Sequence, residues 1–337
     1  MEIKGLSGLT NLGNTCYMNS CLQILSHSTK LNEIVSEHIS NNNNNTINVS
    51  FVKEWHDLRE ILWSGNKVIS PNRFVNIIQQ IAKNKGFEEF TGYDQNDFTE
   101  FFVFIMDLFH ENLSRKTKMN LKGEIKNKTD QVAVVCYQKL ICMYENEYSS
   151  ILRNFYGLEV TQLLSPSTKN IEKTIAQPYI MLSLPIPENN KTPTLLDCLD
   201  LYVEPEILID SNRWYNEKTK SYEDVVKCTS FWDFPEILVI SFKRFNYKGN
   251  KTRTCIDFPL ENLNLSKYVK GYNKDSYTYD LYGVANHTGV AMGGHYTSYI
   301  NIKNKWYHFN DTNVVEVSEN KIVSPQAYCL FYRKKLL

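Results

Sequence analysis

Apolar positions in the first third of the chain recur at helical spacing. Met18, Cys21, Leu22 and Leu25 fall at i, i+3, i+4 and i+7, the stripe of an amphipathic helix. Trp55, Leu58 and Leu62, and then the Phe74–Ile81 stretch, predict further helices. A strong one opens after Gly92-Tyr93-Asp94-Gln95-Asn96-Asp97, where Phe98, Phe101, Phe102, Ile105, Leu108 and Phe109 form a broad apolar face. The asparagine run Asn41–Asn45 has polar neighbours and reads as a loop. Beyond Phe109 the pattern changes. Val132–Cys136, Tyr179–Leu184, Ile237–Phe245, Tyr277–Ala285, His295–Ile302 and Ala327–Tyr332 are short β-branched and aromatic runs bounded by Pro, Asn and Gly, which predict strands. Helices first and strands later predict an α+β fold rather than alternating βαβ units. Neither an internal repeat nor a linker composition divides the chain.

Composition narrows the function. The 337 residues, 42% of them hydrophobic, suffice for a sizeable core. Lys+Arg and Asp+Glu both number 37, so no overall basic field points to nucleic acid. The opening MEIKGLSG lacks the apolar run of a signal peptide, and no stretch approaches the ~18 apolar residues of a membrane span. The expectation is a soluble intracellular protein of the cytoplasm or nucleus. Eight cysteines, at 16, 21, 136, 142, 198, 228, 255 and 329, include no C-x-x-C pair. In a reducing compartment they are expected as free thiols or metal ligands, not disulfides.

One cysteine stands apart. In GLTNLGNTCYMNS, Cys16 follows a glycine-containing turn and begins the first helical stripe. Asn14 or Thr15 has the side-chain oxygen of a good N-cap, and free N–H groups at a helix start favour a thiolate. Cys16 is equally readable as a small buried residue after a cap, because a nucleophile also needs a base. The partner that fits is His295, within VAMGGHYTSYI, where Gly293 and Gly294 permit close approach of a backbone or an extended ligand. Farther on, WYHFNDTN carries Asn310 and Asp311. Either could lie beside His295 on an adjacent strand and orient its imidazole, and a plain hairpin turn accounts for both as well. Asn11 could place its side-chain N–H, with the Cys16 backbone N–H, against a developing oxyanion, or serve only its turn.

Together these segments resemble the ubiquitin-specific protease family of deubiquitinating enzymes. GLTNLGNTCYMNSCLQIL resembles its cysteine box, GYDQNDFTEFFVFIMDLF its Gln/Asp box, and YDLYGVANHTGVAMGGHYTSYI with WYHFNDTNVVEV its histidine box. PEILVISFKRF and AYCLFYR are similar to family strands, and the likeness runs from about Gly5 to Arg333. It implies a papain-like α+β fold in a single catalytic domain over residues 1–337, with a mostly helical thumb over about 1–113 and palm and fingers over 114–337. By position, Cys16 resembles the nucleophile, His295 its base, Asn310 the third triad member, Asn11 the oxyanion donor and Asp311 an assisting acid. Gln95, Asp97 and Glu100 match positions near the ubiquitin tail. Asp94 and Asp97 can also cap and charge-stabilise the helix that follows. Gly293, Gly294 and Tyr296 suit a slot for a tail ending in two glycines.

The implied activity is thiol-dependent hydrolysis of the bond at ubiquitin's C-terminal glycine, by a monomer needing no cofactor. The alternatives are a ubiquitin-binding module of weak catalysis and an isopeptidase for another ubiquitin-like modifier. Many family members hold zinc at the fingertips with two C-x-x-C pairs. Here Ser165, Thr168, Asn216 and Thr219 stand at the matching positions, poor zinc ligands that predict metal-free fingers. Cys198 and Cys228 are expected as buried structural thiols.

Overall fold

The computed structural model describes residues 3–41, 50–188, 192–290 and 293–335, so Asn42–Asn45 of the asparagine run lie outside it. The helical part comprises β1 (Gly8–Leu9), α1 (Cys16–Ser26), α2 (Thr29–Asn41), α3 (Ser50–Trp63), β2 (Val68–Ile69), α4 (Asn72–Lys85) and α5 (Phe98–Leu113). The two short strands pair in parallel. α1 departs from the amphipathic expectation, since all eleven of its residues are buried. Its polar residues must therefore find partners inside the protein. Gln23 Nε2 donates to the Ser7 carbonyl at 2.8 Å, Ser26 Oγ to the Gln23 carbonyl at 2.9 Å, and Asn19 Nδ2 to the Asp311 carboxylate at 2.8 Å. Thus the N-terminal segment and a turn far along the chain solvate one side of α1.

The aromatic face of α5 covers another side. Phe101 meets Tyr17 edge-on at 5.4 Å, while Phe98 and Phe102 meet Phe331 at 6.0 and 5.4 Å. Asp97 starts this helix by accepting from the Thr99 and Glu100 N–H groups, a cap of about 1 kcal/mol.

The second part runs α6 (Lys128–Glu147), α7 (Ser150–Phe155), β3 (Gly157–Leu164), β4 (Ile171–Tyr179), β5 (Leu182–Leu184), α8 (Leu195–Val203), β6 (Glu206–Leu208), β7 (Trp214–Asn216), β8 (Ser221–Glu223) and β9 (Val225–Asp233). It continues with β10 (Ile237–Phe242), β11 (Leu263–Asn264), β12 (Thr278–Val290), β13 (Gly293–Ile302), β14 (Lys305–Asn310), β15 (Asn313–Val317) and β16 (Ala327–Lys334). The main sheet has the order β15-β14-β13-β12-β16-β10-β5, with β11 beside β12. A second sheet, β4-β3-β9-β6, and the β7–β8 hairpin stand apart from it. The order of helices then sheets is the expected α+β arrangement. No helix among the described residues is long and apolar enough to cross a membrane.

Three strand expectations are corrected. Val132–Cys136 lies inside α6, started by a reciprocal Asn127/Asp130 capping box. Ala133 and Cys136, at i and i+3, pack on Leu158, Val160, Ala176 and Trp232 of the second sheet. Tyr179–Leu184 is interrupted between β4 and β5, and Ile237–Phe245 ends at Phe242.

Cys198 is fully buried, but Cys228 in β9 is only partly buried. Hydrogen bonds close the β3–β4 turn of the second sheet and the turn of the separate β7–β8 hairpin. Ser165 Oγ accepts from the Thr168 N–H, and Thr168 Oγ1 from the Asn170 N–H. Asn216 Nδ2, Thr219 Oγ1 and Ser221 Oγ all donate to the Glu223 carboxylate. Among the described residues no cluster of three His, Cys, Asp or Glu side chains has the spacing to hold a metal ion.

Candidate active site

Cys16 is the first residue of α1 and is 3% exposed. The cap expected before it is built differently. Thr15 occupies the N-cap position without a side-chain capping bond, and Asn14 is left-handed at φ 50°. Asn11 does the organising. Its Oδ1 accepts from the Gly13 and Thr15 N–H groups at 3.1 and 3.0 Å, while Thr15 Oγ1 turns back to the Leu12 N–H. The thiol accepts from the Tyr296 N–H at 3.5 Å. The thiolate expected at this helix start is also corrected. Burial pushes the Cys16 thiol above its ordinary value, opposed by the Tyr296 N–H, and the Asp311 charge pushes it higher. A buried thiol needs more than a helix terminus to ionise.

His295 lies on β13, its ring held by a 2.7 Å hydrogen bond between Nε2 and Asn310 Oδ1 at the end of β14. An amide oxygen only accepts, so Nε2 carries a proton, which leaves Nδ1 as the basic nitrogen of the neutral ring. Among the described residues no hydrogen bond joins this ring to Cys16. Asp311, in the tight β14–β15 turn at φ 49°, accepts from Asn11 Nδ2 at 3.0 Å and Asn19 Nδ2 at 2.8 Å. Its carbonyl also receives the Leu9 N–H at 2.8 Å. Gly8 allows this approach, because a Cβ there would lie 2.3 Å from the Thr312 carbonyl oxygen. One turn thus presents Asn310 to the imidazole and Asp311 to the loop that precedes the cysteine.

Gln95, Asp97, Glu100, Gly293, Gly294 and Tyr296 all line one cleft of about 500 Å³ that reaches Cys16. Gln95 Oε1 accepts from the Gly294 N–H at 2.8 Å and so bridges the cleft. The Asp97 carboxylate, besides capping α5, accepts from the Tyr296 and Tyr328 hydroxyls at 3.1 and 2.7 Å. Glu100 is exposed at the rim, where partial burial and the charges of Asp97 and Glu89 raise its carboxyl above the usual range. A cation arriving there would relieve this repulsion.

Sequence reasoning missed three residues of this neighbourhood: Asn19, Tyr328 and His287. His287 is buried beside the cleft, its Nδ1 2.9 Å from Lys251 Nζ. Burial and that lysine hold its imidazole down at about 4, so it is neutral near pH 7. A Cβ at Gly294 would sit 2.3 Å from His287 Nε2 and 2.4 Å from the Thr288 carbonyl oxygen. Glycine is therefore what lets the wall of the cleft pass this ring. The only available signal was the histidine itself, eight residues before His295 on the same β-hairpin.

Residues 7–332 match the model of the ubiquitin carboxyl-terminal hydrolase family. The chain belongs to this family. Ubiquitin carboxyl-terminal hydrolase 2 of Homo sapiens is 32% identical over 98% of this chain and 55% of its own length. The Gallus gallus protein of that name is also 32% identical, over 98% of this chain and 94% of its own. The chain thus spans about half the length of the human relative. Among solved structures, the SAGA Ubp8/Sgf11/Sus1/Sgf73 DUB module bound to ubiquitin aldehyde is 25% identical, covers 99% of this chain and 70% of its own, and superposes with a TM-score of 0.74. The same module bound to monoubiquitin is 26% identical with the same coverage and a TM-score of 0.75. The α+β hydrolase fold of the family, papain-like with thumb, palm and fingers, is the fold of this chain.

Proposed function

We propose that this chain is an active deubiquitinase that cleaves the peptide or isopeptide bond at ubiquitin's C-terminal glycine. The observation that carries the reading is that the buried Cys16 thiol meets the N–H of Tyr296, the residue after a histidine whose Nε2 Asn310 fixes, while the Asn11 amide before it is tied to Asp311. In this reading Cys16 gives its proton to His295 Nδ1 as its sulfur bonds to the glycine carbonyl carbon. The oxyanion takes hydrogen bonds from the Cys16 N–H and from the Asn11 Nδ2 proton that Asp311 does not hold. His295 returns the proton to the leaving amine, and the C–N bond breaks to leave a thioester. Water, deprotonated by His295, then releases ubiquitin and restores the thiol.

The acidic rim at Glu100 suits a basic tail, and the passage beside Gly294 suits residues without side chains. Ubiquitin in the SAGA module structures supports ubiquitin as the partner. In the same reading the enzyme works as a soluble monomer without nucleic acid or metal. The test is reaction with ubiquitin carrying a C-terminal propargylamide, followed by peptide mapping. The adduct is expected on Cys16 and absent in Cys16→Ser, which should still bind ubiquitin. An adduct at another cysteine, or turnover by Cys16→Ser, would overturn the assignment. Preferential reaction of a matching probe built on another ubiquitin-like modifier would reassign the substrate.

A further inference from the structure

The chain is neutral overall, yet one face is strongly basic. Between 115 and 128, six residues are basic (Arg115, Lys116, Lys118, Lys122, Lys126, Lys128) and only Glu124 is acidic. This segment has no regular structure over 116–127 and runs back along α6. Arg115 bridges to Tyr148 at one end of the helix, the Thr117 N–H donates to the Glu145 carbonyl, and Asn127 caps the other end. Met119, Leu121 and Ile125 are exposed along it at 38, 43 and 58%.

Where the segment meets α6, the surface opens into a second cleft of about 500 Å³. Val132, Val135, Val160 and Ile171 give it apolar walls, and Lys128, Lys173 and Lys270 give it charge against the single Glu172. None of these residues lines the Cys16 cleft. β4, which forms one wall, is the edge strand of its sheet. Among the described residues, Lys126 has an ion pair with Glu124 at 3.9 Å, while Lys116, Lys118, Lys122, Lys128, Lys173 and Lys270 have none.

We propose that this face docks an extended acidic segment of a partner protein that also carries apolar side chains. Six basic side chains over 115–128 face only Glu124 and the flanking Asp130, and like charges close together add their fields over about one Debye length, ~8 Å at physiological salt. Carboxylates are the complementary charge. The apolar walls and the exposed Met119, Leu121 and Ile125 call for apolar side chains between those carboxylates. The free edge of β4 offers main-chain donors and acceptors to an extended chain. Segment 115–128 contains no aromatic residue, so it lacks the stacking surface that single-stranded nucleic acid uses. The cleft is concave, which suits a chain better than the plane of a membrane.

The test is fluorescence anisotropy of the whole protein with a fluorescein-labelled peptide of alternating Glu and Val. Binding is expected at low salt, with Lys122→Glu/Lys128→Glu/Lys270→Glu weakening it by about tenfold or more. Leu121→Ser/Ile125→Ser is expected to weaken it as well. The charge-reversed variant should instead bind a Lys-Val peptide of equal length, a gain that misfolding cannot produce, and should turn over fluorogenic ubiquitin normally. Unchanged affinity of the Glu-Val peptide for the reversed variant would overturn the proposal. So would tighter binding of single-stranded DNA, or of phosphatidylserine vesicles, through the same lysines.

Discussion

Replacing Asp311 by alanine should make Cys16 more reactive and the enzyme worse. The carboxylate holds Asn11 Nδ2 at 3.0 Å and Asn19 Nδ2 at 2.8 Å. Hydrogen bonds to a charged group contribute ~1.5–3 kcal/mol each, and this half-buried site belongs at the low end, so stability should fall by about 2–3 kcal/mol. Catalysis should fall further. Once untied, the Asn11 amide no longer holds an N–H toward the oxyanion, and losing one such donor costs ~10²–10³ in kcat. The thiol responds in the opposite direction. Asp311's charge raises the Cys16 thiol, so removing it lowers the thiol and increases the thiolate fraction at pH 8. Iodoacetamide should therefore alkylate Cys16 faster in Asp311→Ala than in the wild type. Alkylation is read by peptide mapping, which separates Cys16 from the exposed Cys142, and turnover is read with fluorogenic ubiquitin. If alkylation and turnover fell together, or turnover held, Asp311 would not be the electrostatic and positional link described.

Asn310→Ala should lower kcat by roughly 10²–10⁴, the contribution of a positioned acid–base group, with little change in KM. Wild-type kcat in this variant would refute the orienting role of Asn310. Gly294→Ala puts a methyl 2.4 Å from a carbonyl oxygen fixed in the sheet. Overpacking of that kind costs ~1–3 kcal/mol, so a lower Tm and a raised KM are expected, and wild-type values in both would refute the close approach. Phenanthroline should leave Tm and turnover unchanged, and elemental analysis should find no stoichiometric zinc. Glu223→Ala, by contrast, should speed amide exchange at Lys218 and Lys220, whose N–H groups are held within the β7–β8 turn. Near one zinc per chain would show that other side chains assemble a metal site there.

Sequence patterns single out the candidate reacting groups because their signals are local. A cysteine after a turn, a histidine after two glycines and an Asn-Asp pair in a hairpin each occupy a few residues. α1 was misjudged for the opposite reason. Asn19 and Gln23 look like the polar face of a surface helix, and nothing nearby in sequence reveals that Asn19 bonds a residue 292 positions away. The run Val132–Cys136 misled because a short apolar stretch satisfies both periods. Only the Asn127/Asp130 box in front of it, and the sheet beneath Ala133 and Cys136, decide for helix. The cap of α1 was misplaced because Asn11, four residues before Thr15, takes over the bonds that a neighbouring side chain would ordinarily make.

The bond from Asn11 to Asp311 spans 300 residues, and the thiol meets the Tyr296 N–H across 280. Cys16 lies on α1 and His295 on β13, far apart in sequence. Until β13 and β14 have emerged, α1 has polar groups without partners and a cysteine without an imidazole. Contacts of such long separation are slow to form. In the proposed mechanism the thiol and imidazole can act together only once β13 and β14 have joined α1.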